Sequence, residues 1–231
     1  MTPSPDVPPP YVHHDGGPLA DVVAPRAVVE TETAFSGAVW DVTRDAFRMS
    51  EAGGPDSETG DRSGDDTDLL VREYIQHPGA VAVVALDDED RIRMIRQYRH
   101  PVRQELWEIP AGLLDVPGES SLAAAQRELA EEADLRAARW DVLAEFFTTP
   151  GSSSEAIRVY LARELTVVPE NDRHERTGEE AGMPLASVPV AEAVDAVLTG
   201  RLHNPATVVG ILALHAHRTS GYTRLRAADA P

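Results

Sequence analysis

A mixed α+β fold is what this 231-residue sequence predicts. Three observations carry that expectation. Short strand-like runs follow one another in adjacent pairs, a single strongly patterned amphipathic helix sits among them, and the helices are few. The first run, 37–49 (GAVWDVTRDAFRM), alternates imperfectly through Val39, Val42 and Phe47, which predicts a strand with a bulge or bend. Residues 51–68 (EAGGPDSETGDRSGDDTD) have no apolar period and read as a disordered surface loop. A second strand follows at 69–76. The continuous apolar run AVAVVAL (80–86) is of the kind a buried strand shows. DDED (87–90) reads as a tight turn, and the alternating RIRMIRQY (91–98) completes what looks like a hairpin. A short strand spans Glu105 to Ala111 and ends at Gly112. A helix over 119–133 has Leu122, Ala125, Leu129 and Ala133 as its core stripe. Strands are predicted at 140–147 and 155–165, a polar loop at 168–182, a short strand near 183–188 and a helix from Val190 to Leu198. Asn204-Pro205 opens the last helix, since Asn is a good N-cap and Pro suits the first helical position.

Composition removes several kinds of chemistry. The chain has no cysteine, which excludes disulfides, thiolate metal sites and cysteine nucleophiles and fits a cytoplasmic protein. All 21 basic residues are arginine, so a catalytic lysine is excluded as well. No apolar run reaches the roughly 18 residues of a membrane span. The proline-rich start lacks the order of a signal peptide. A net charge of −18 opposes nucleic acid and anionic lipid as partners. It would also repel a phosphorylated substrate unless a divalent metal and a few arginines supplied local cations.

The informative stretch is 111–135, AGLLDVPGESSLAAAQRELAEEADL. On a helix, Glu128, Glu131 and Glu132 fall at i, i+3 and i+4 and so share one face. Arg127 and Glu131 are spaced to pair. Clustered carboxylates repel by about 0.2–0.5 kcal/mol per exposed pair. A hard cation removes that penalty, and magnesium prefers carboxylate oxygens, waters and phosphate. Glutamate-rich helix faces are nevertheless usually just solvated, and periodicity takes the case no further.

The whole stretch resembles the Nudix box: a glycine, a short loop, a glutamate, seven residues, then Arg-Glu-apolar-x-Glu-Glu-x-Gly-apolar. Gly112 and Glu119 open it, and Arg127, Glu128, Leu129, Glu131, Glu132 and Leu135 close it. It departs from the family pattern twice. Six residues rather than five separate Gly112 from Glu119, the extra one in the turn Val116-Pro117-Gly118. Asp134 stands where the family has glycine, in what is expected to be a left-handed helix end, at a cost of about 1 kcal/mol.

The resemblance implies roles. Glu128 and Glu132 would be direct ligands of Mg2+, with Mn2+ an alternative, and the backbone carbonyl of Ala111 a further ligand. Glu131 would help bind a second metal or order its water, Arg127 would orient the glutamates, and Glu119 would support the helix start. Beyond the box, VRE (71–73), QYRH (97–100), LWEIPAG (106–112), TPGSSSE (149–155), Glu179-Glu180 and GRLHNPAT (200–207) resemble the ADP-ribose pyrophosphatase branch, closest to actinobacterial members. Arg72 and Arg99 are then candidates for substrate contact, Arg99 through the phosphates, because a guanidinium binds phosphate oxygens as a fork. Glu108 would reach the metals or the terminal ribose, or form a salt bridge. Glu155, or else Glu179 or Glu180, would be the general base, with Glu155 ranked ahead. The reaction implied is hydrolysis of ADP-ribose to AMP and ribose 5-phosphate.

The implied fold is an α/β/α sandwich around a mixed sheet, at 78–219. An N-terminal arm (1–28) and a small antiparallel β subdomain (29–77) precede it, and a tail (220–231) follows. The subdomain would cross to a second subunit in a domain-swapped homodimer. The box is common to pyrophosphatases of other nucleoside diphosphate derivatives. A non-catalytic sensor would be expected to have lost box carboxylates, and all are present here. His13, His14, His203, His215 and His217 form no ligand constellation, and Trp40, Trp107 and Trp140 read as core.

Overall fold

The structure is a computed structural model that describes residues 19–49, 69–176 and 182–230. Most of the expected arm, the 51–68 loop, and Glu179 and Glu180 lie outside the described residues. The chain divides into two compact units, Met1–Thr31 with Asp45–Val71 and Glu32–Arg44 with Arg72–Pro231. The sites described below belong to the second.

Three N-terminal strands, β1 (Val28–Ser36), β2 (Asp41–Arg48) and β3 (Leu69–Ile75), form a sheet in the order β1-β2-β3. The bent strand expected over 37–49 is shortened to β2, and β1 ahead of it is a strand that was not expected. A turn closed by Gly37 N–H donating to the Trp40 carbonyl at 3.1 Å separates β1 from β2. β1 is exposed along its whole length.

The centre is a five-stranded mixed sheet. In chain order it contains β4 (Ala80–Ala85), β7 (Ala111–Leu113), β8 (Leu135–Phe147), β9 (Ala156–Val167) and β11 (Arg226–Ala227), arranged β11-β8-β9-β4-β7. β4 and β9 run parallel, while β7 pairs β4 and β8 pairs β9 antiparallel. Every residue of β4 is buried, as its unbroken apolar run predicts. Its alternate side chains feed two cores. Val81, Val83 and Ala85 pack with Ala124, Ala125 and Leu129 of α1 (Ser121–Ala133). Ala80, Ala82 and Val84 join Ile211 and Leu214 of α3 (Pro205–Thr219) on the other face. Helices on both faces make the α/β/α sandwich. Each large aliphatic side chain buried there is worth about 1.5–3 kcal/mol. Gly210 lets α3 lie close to the sheet: a Cβ there would stand 3.0 Å from Val84 and 3.1 Å from Ile109.

The expected hairpin of 80–86 with 91–98 is corrected. The turn is as tight as its aspartates predict, with Asp87 Oδ1 accepting from the Glu89 and Arg91 amides at 3.0 and 2.9 Å. The strands then part. β5 (Arg91–Arg99) leaves for a second sheet, where β10 (Leu185–Pro189) and β6 (Gln104–Glu108) flank it in the order β10-β5-β6. One bridge, Leu86 with Ile92, is what remains of the hairpin. β4 is apolar on both faces, which α1 and α3 cover, while β7 and β9 take its two edges. The strand expected to run from 105 to 111 divides at Ile109-Pro110, with β6 in one sheet and β7 in the other. α2 (Val190–Leu198) and α3 begin where the sequence places them, and Asn204 caps α3 by accepting from the Thr207 amide at 3.0 Å.

Candidate active site

α1 starts at Ser121 because Ser120, in extended conformation, caps it: its hydroxyl accepts from the Ala123 amide at 3.2 Å. Ser121 also bonds the Tyr160 hydroxyl at 2.8 Å, fixing this end of the helix to β9. The helix ends at Asp134, whose φ of 53° and ψ of 37° are left-handed, as its place in the motif predicts. The Asp134 carboxylate lies 2.8 Å from Arg176, and Arg176 donates to the Glu131 carbonyl at 2.9 Å. Arg176 thus brings a cation to the negative end of the helix, and Asp134 gives it a carboxylate partner that a glycine would lack.

Between these ends the glutamates fall into two groups. Arg127 holds the first. It donates to both oxygens of Glu119, at 3.1 and 3.0 Å, and to Glu128 at 2.5 Å and Glu131 at 3.4 Å. The hydrogen bonds from Arg127 hold the Glu119 carboxyl below the usual carboxylate range, and the same bonds raise Arg127. The expected i, i+4 pair of Arg127 and Glu131 is therefore the longest spoke of a larger web.

The second group converges on the backbone of β7. Glu132 is buried, 5% exposed, and accepts from the Ala111 amide at 2.8 Å. Glu128 lies directly over Gly112: a Cβ there would fall 2.0 Å from its Oε1. The opening glycine of the motif thus makes room for a carboxylate. Thr207 of α3, fully buried, accepts from the Ile109 amide at 3.0 Å and fixes the approach to this segment. Thr207 closes the GRLHNPAT segment already singled out, but nothing in the sequence signalled this contact across almost a hundred residues.

Two residues predicted to meet substrate meet each other. Arg99 donates to both oxygens of Glu108, at 2.9 and 2.7 Å, and Glu108 is 2% exposed. Of the three alternatives for Glu108, this is the salt bridge. Arg72 lies on β3, exposed, three residues before Ile75, whose amide donates to Ser152 at 2.9 Å.

Glu155 stands just before β9, where the 148–155 loop meets the segment leading into β4. Its Oε2 accepts from the Thr148 hydroxyl at 2.5 Å, and its Oε1 lies 3.4 Å from His77 Nε2. His77 stacks on Trp40 with ring centroids 4.5 Å apart. The sequence reading passed over His77, because nothing within its own segment, Gln76-His77-Pro78-Gly79, points to a partner. β4 separates β9 from β7, so the Glu155 end of β9 and the Ala111–Gly112 segment lie two strand spacings apart, roughly 10 Å.

Among the described residues no three His, Asp or Glu side chains form a ready metal cluster. The donor set nevertheless fits magnesium. Two carboxylates bracket one short backbone segment, and magnesium commonly takes one or two carboxylates and completes its shell with water and phosphate oxygens.

Residues 76–204 match the NUDIX domain family, and the chain belongs to that family. It is 41% identical over 201 residues to an ADP-ribose pyrophosphatase of Mycobacterium tuberculosis (strain ATCC 25618 / H37Rv), covering 87% of this chain and 88% of that protein. It is 44% identical over 99 residues to an ADP-ribose pyrophosphatase of Bacillus subtilis (strain 168), covering 43% and 53%. It is 31% identical over 183 residues to a methanol dehydrogenase activator of Bacillus methanolicus, covering 79% and 89%. A crystal structure of an ADP compounds hydrolase superposes with a TM-score of 0.66 at 19% identity, over 89% of this chain and all of that one, which shows the shared fold. The α+β sandwich and the family expected from the motif are both found.

Proposed function

We propose that this NUDIX-family hydrolase cleaves the diphosphate bond of ADP-ribose in a magnesium-dependent reaction. The observation that carries the reading is the convergence of Glu128 and Glu132 on the Ala111–Gly112 backbone. The family and the two ADP-ribose pyrophosphatases among its relatives support the substrate.

Water adds to one phosphorus, the bridging oxygen leaves as an oxyanion on the other phosphoryl group, one water proton passes to a base, and the other stays on the newly formed phosphate. The products are AMP and ribose 5-phosphate. Glu128, Glu132 and the Ala111 carbonyl would hold the metal, with Glu131 beside them, and Mn2+ would serve in place of Mg2+. When bound, the metal neutralises the diphosphate and acidifies water. Arg127 would orient Glu128 and Glu131 through its hydrogen bonds to both. Glu155 is the proposed base: it is part-exposed, and Thr148 fixes its orientation. Glu179 and Glu180 are the alternatives to it. Arg99 holds Glu108 rigid at the edge of the second sheet, and its half-exposed guanidinium is the proposed phosphate contact. Arg72 is the second substrate arginine.

The protein is proposed to act as a cytoplasmic homodimer with its N-terminal strands exchanged, and the uniformly exposed β1 supports a partner strand or surface there. No helix among the described residues is long and apolar enough to cross a membrane.

The test is a magnesium-dependent turnover screen across ADP-ribose, other nucleotide sugars, dinucleotides and nucleoside triphosphates. ADP-ribose is expected to lead by at least about tenfold in kcat/KM, roughly 1.4 kcal/mol of transition-state preference. Excess EDTA should stop turnover and added magnesium restore it. A different leading substrate moves the assignment within the family, and turnover that survives chelation removes the metal mechanism.

A further inference from the structure

We infer that His77 is a positioning residue for Glu155, a role that rests on the proposal that Glu155 is the general base. The ring is nearly buried, its side chain 7% exposed, and it stacks on Trp40 with the planes 25° apart. The Gly79 amide donates to His77 Nδ1 at 3.0 Å. Nδ1 is therefore the lone-pair nitrogen, and the neutral ring carries its proton on Nε2, the atom that faces Glu155 Oε1. Thr148 occupies the other oxygen. Each oxygen of Glu155 thus faces one protein donor and keeps lone-pair capacity for a water.

The backbone holds the pair in register. His77 N–H donates to Ser154 Oγ at 2.8 Å, Ile75 N–H to the Ser152 carbonyl at 2.9 Å, and Ser154 N–H to the Ile75 carbonyl at 3.1 Å. The segment before β4 and the loop before β9 are therefore clamped together where His77 and Glu155 face each other. The aromatic stack would be served by any flat side chain. Histidine adds a polar Nε2 3.4 Å from Glu155 Oε1, with Gly79 selecting the tautomer that places the proton there. A glutamate on a serine-rich loop otherwise has free rotation about its side-chain bonds, and a base works only when its oxygen is within hydrogen-bond reach of the attacking water.

The experiment is a double-mutant cycle on the full chain, with steady-state kinetics on ADP-ribose and magnesium and thermal unfolding of each variant. His77→Phe keeps the stacked ring and removes the N–H. His77→Asn keeps an acceptor for Gly79 and removes the group that faces Glu155, so it serves if the phenylalanine variant does not fold. His77→Gln returns an N–H near the position of Nε2. Loss of an orienting partner is expected to lower kcat by about 10- to 100-fold with KM within about twofold. His77→Gln should recover most of that loss, and neither loss variant should cost more once Glu155→Gln is present. Equal losses with and without Glu155, or wild-type kcat in both loss variants while Glu155→Gln is inactive, would overturn the role of His77 and leave Glu155 as base. Wild-type kcat in Glu155→Gln would instead remove the base, and the inference with it.

Discussion

On α1, one arginine organises Glu119, Glu128 and Glu131, all from the helix or the turn that enters it. In the 148–155 loop, Glu155 is organised by a threonine at the loop's start and by a histidine from the segment that leads into β4. Both regions place carboxylates beside donors, yet they are built differently. The helix sets its own geometry: residues three and four apart are neighbours whatever the rest of the chain does. The loop has no geometry of its own, and the parallel pairing of β4 with β9 decides what Glu155 meets. A carboxylate cluster on a helix therefore tolerates change elsewhere in the fold, whereas a loop carboxylate depends on strand register.

The largest effect should come from the helix. Glu132→Gln is expected to lower kcat/KM by about 10³-fold, near 4 kcal/mol of transition-state stabilisation, with an unchanged circular dichroism spectrum. A near-wild-type rate would show that this is not the site. Glu155→Gln should follow, losing about 10²-fold or more in kcat with little change in KM, as expected of a base. A loss confined to KM would make Glu155 a binding residue and erase the contrast between the regions. Gly112→Ala tests the backbone beneath the helix. Its methyl would displace Glu128, at an overpacking cost of about 1–3 kcal/mol in chemical denaturation. Turnover should fall in parallel, and a variant as stable and active as wild type would mean that Glu128 moves aside freely. Asp134→Gly should matter least. Relief of the left-handed strain and loss of the Arg176 ion pair oppose each other, so stability should change by no more than about 1 kcal/mol. A larger loss on denaturation would show the helix end to depend on Arg176.

Much of this was legible in advance, for local reasons. The α1 face, its end at Ala133, the left-handed Asp134 and the Asn204 cap all follow from spacing and capping chemistry within a few residues, while the start expected at 119 falls two residues later, at Ser121. The expected penalty at Asp134 was incomplete, because Arg176 arrives from a distant loop. The hairpin expectation failed for a related reason. A tight turn fixes the direction in which the chain returns but not which sheet each strand joins, and β4 needed burial on both faces. Arg99 and Glu108 were singled out separately as candidates; their pairing is tertiary, since the β5–β6 register sets Arg99 opposite Gln104 and Glu108 opposite Ile95 and the guanidinium reaches along the strands between them.

By itself the sequence determined the family motif, the helix that bears it, the exclusion of cysteine and lysine chemistry, and the acidic character of the site, because each is carried by residue identity or by spacing within a turn or two. Tertiary structure alone decided that Glu128 rests on Gly112, that Glu132 meets the Ala111 amide, that Thr207 holds Ile109, and that His77 faces Glu155. Those contacts join elements far apart in the chain, and strand pairing and helix packing set them, neither of which short-range periodicity encodes.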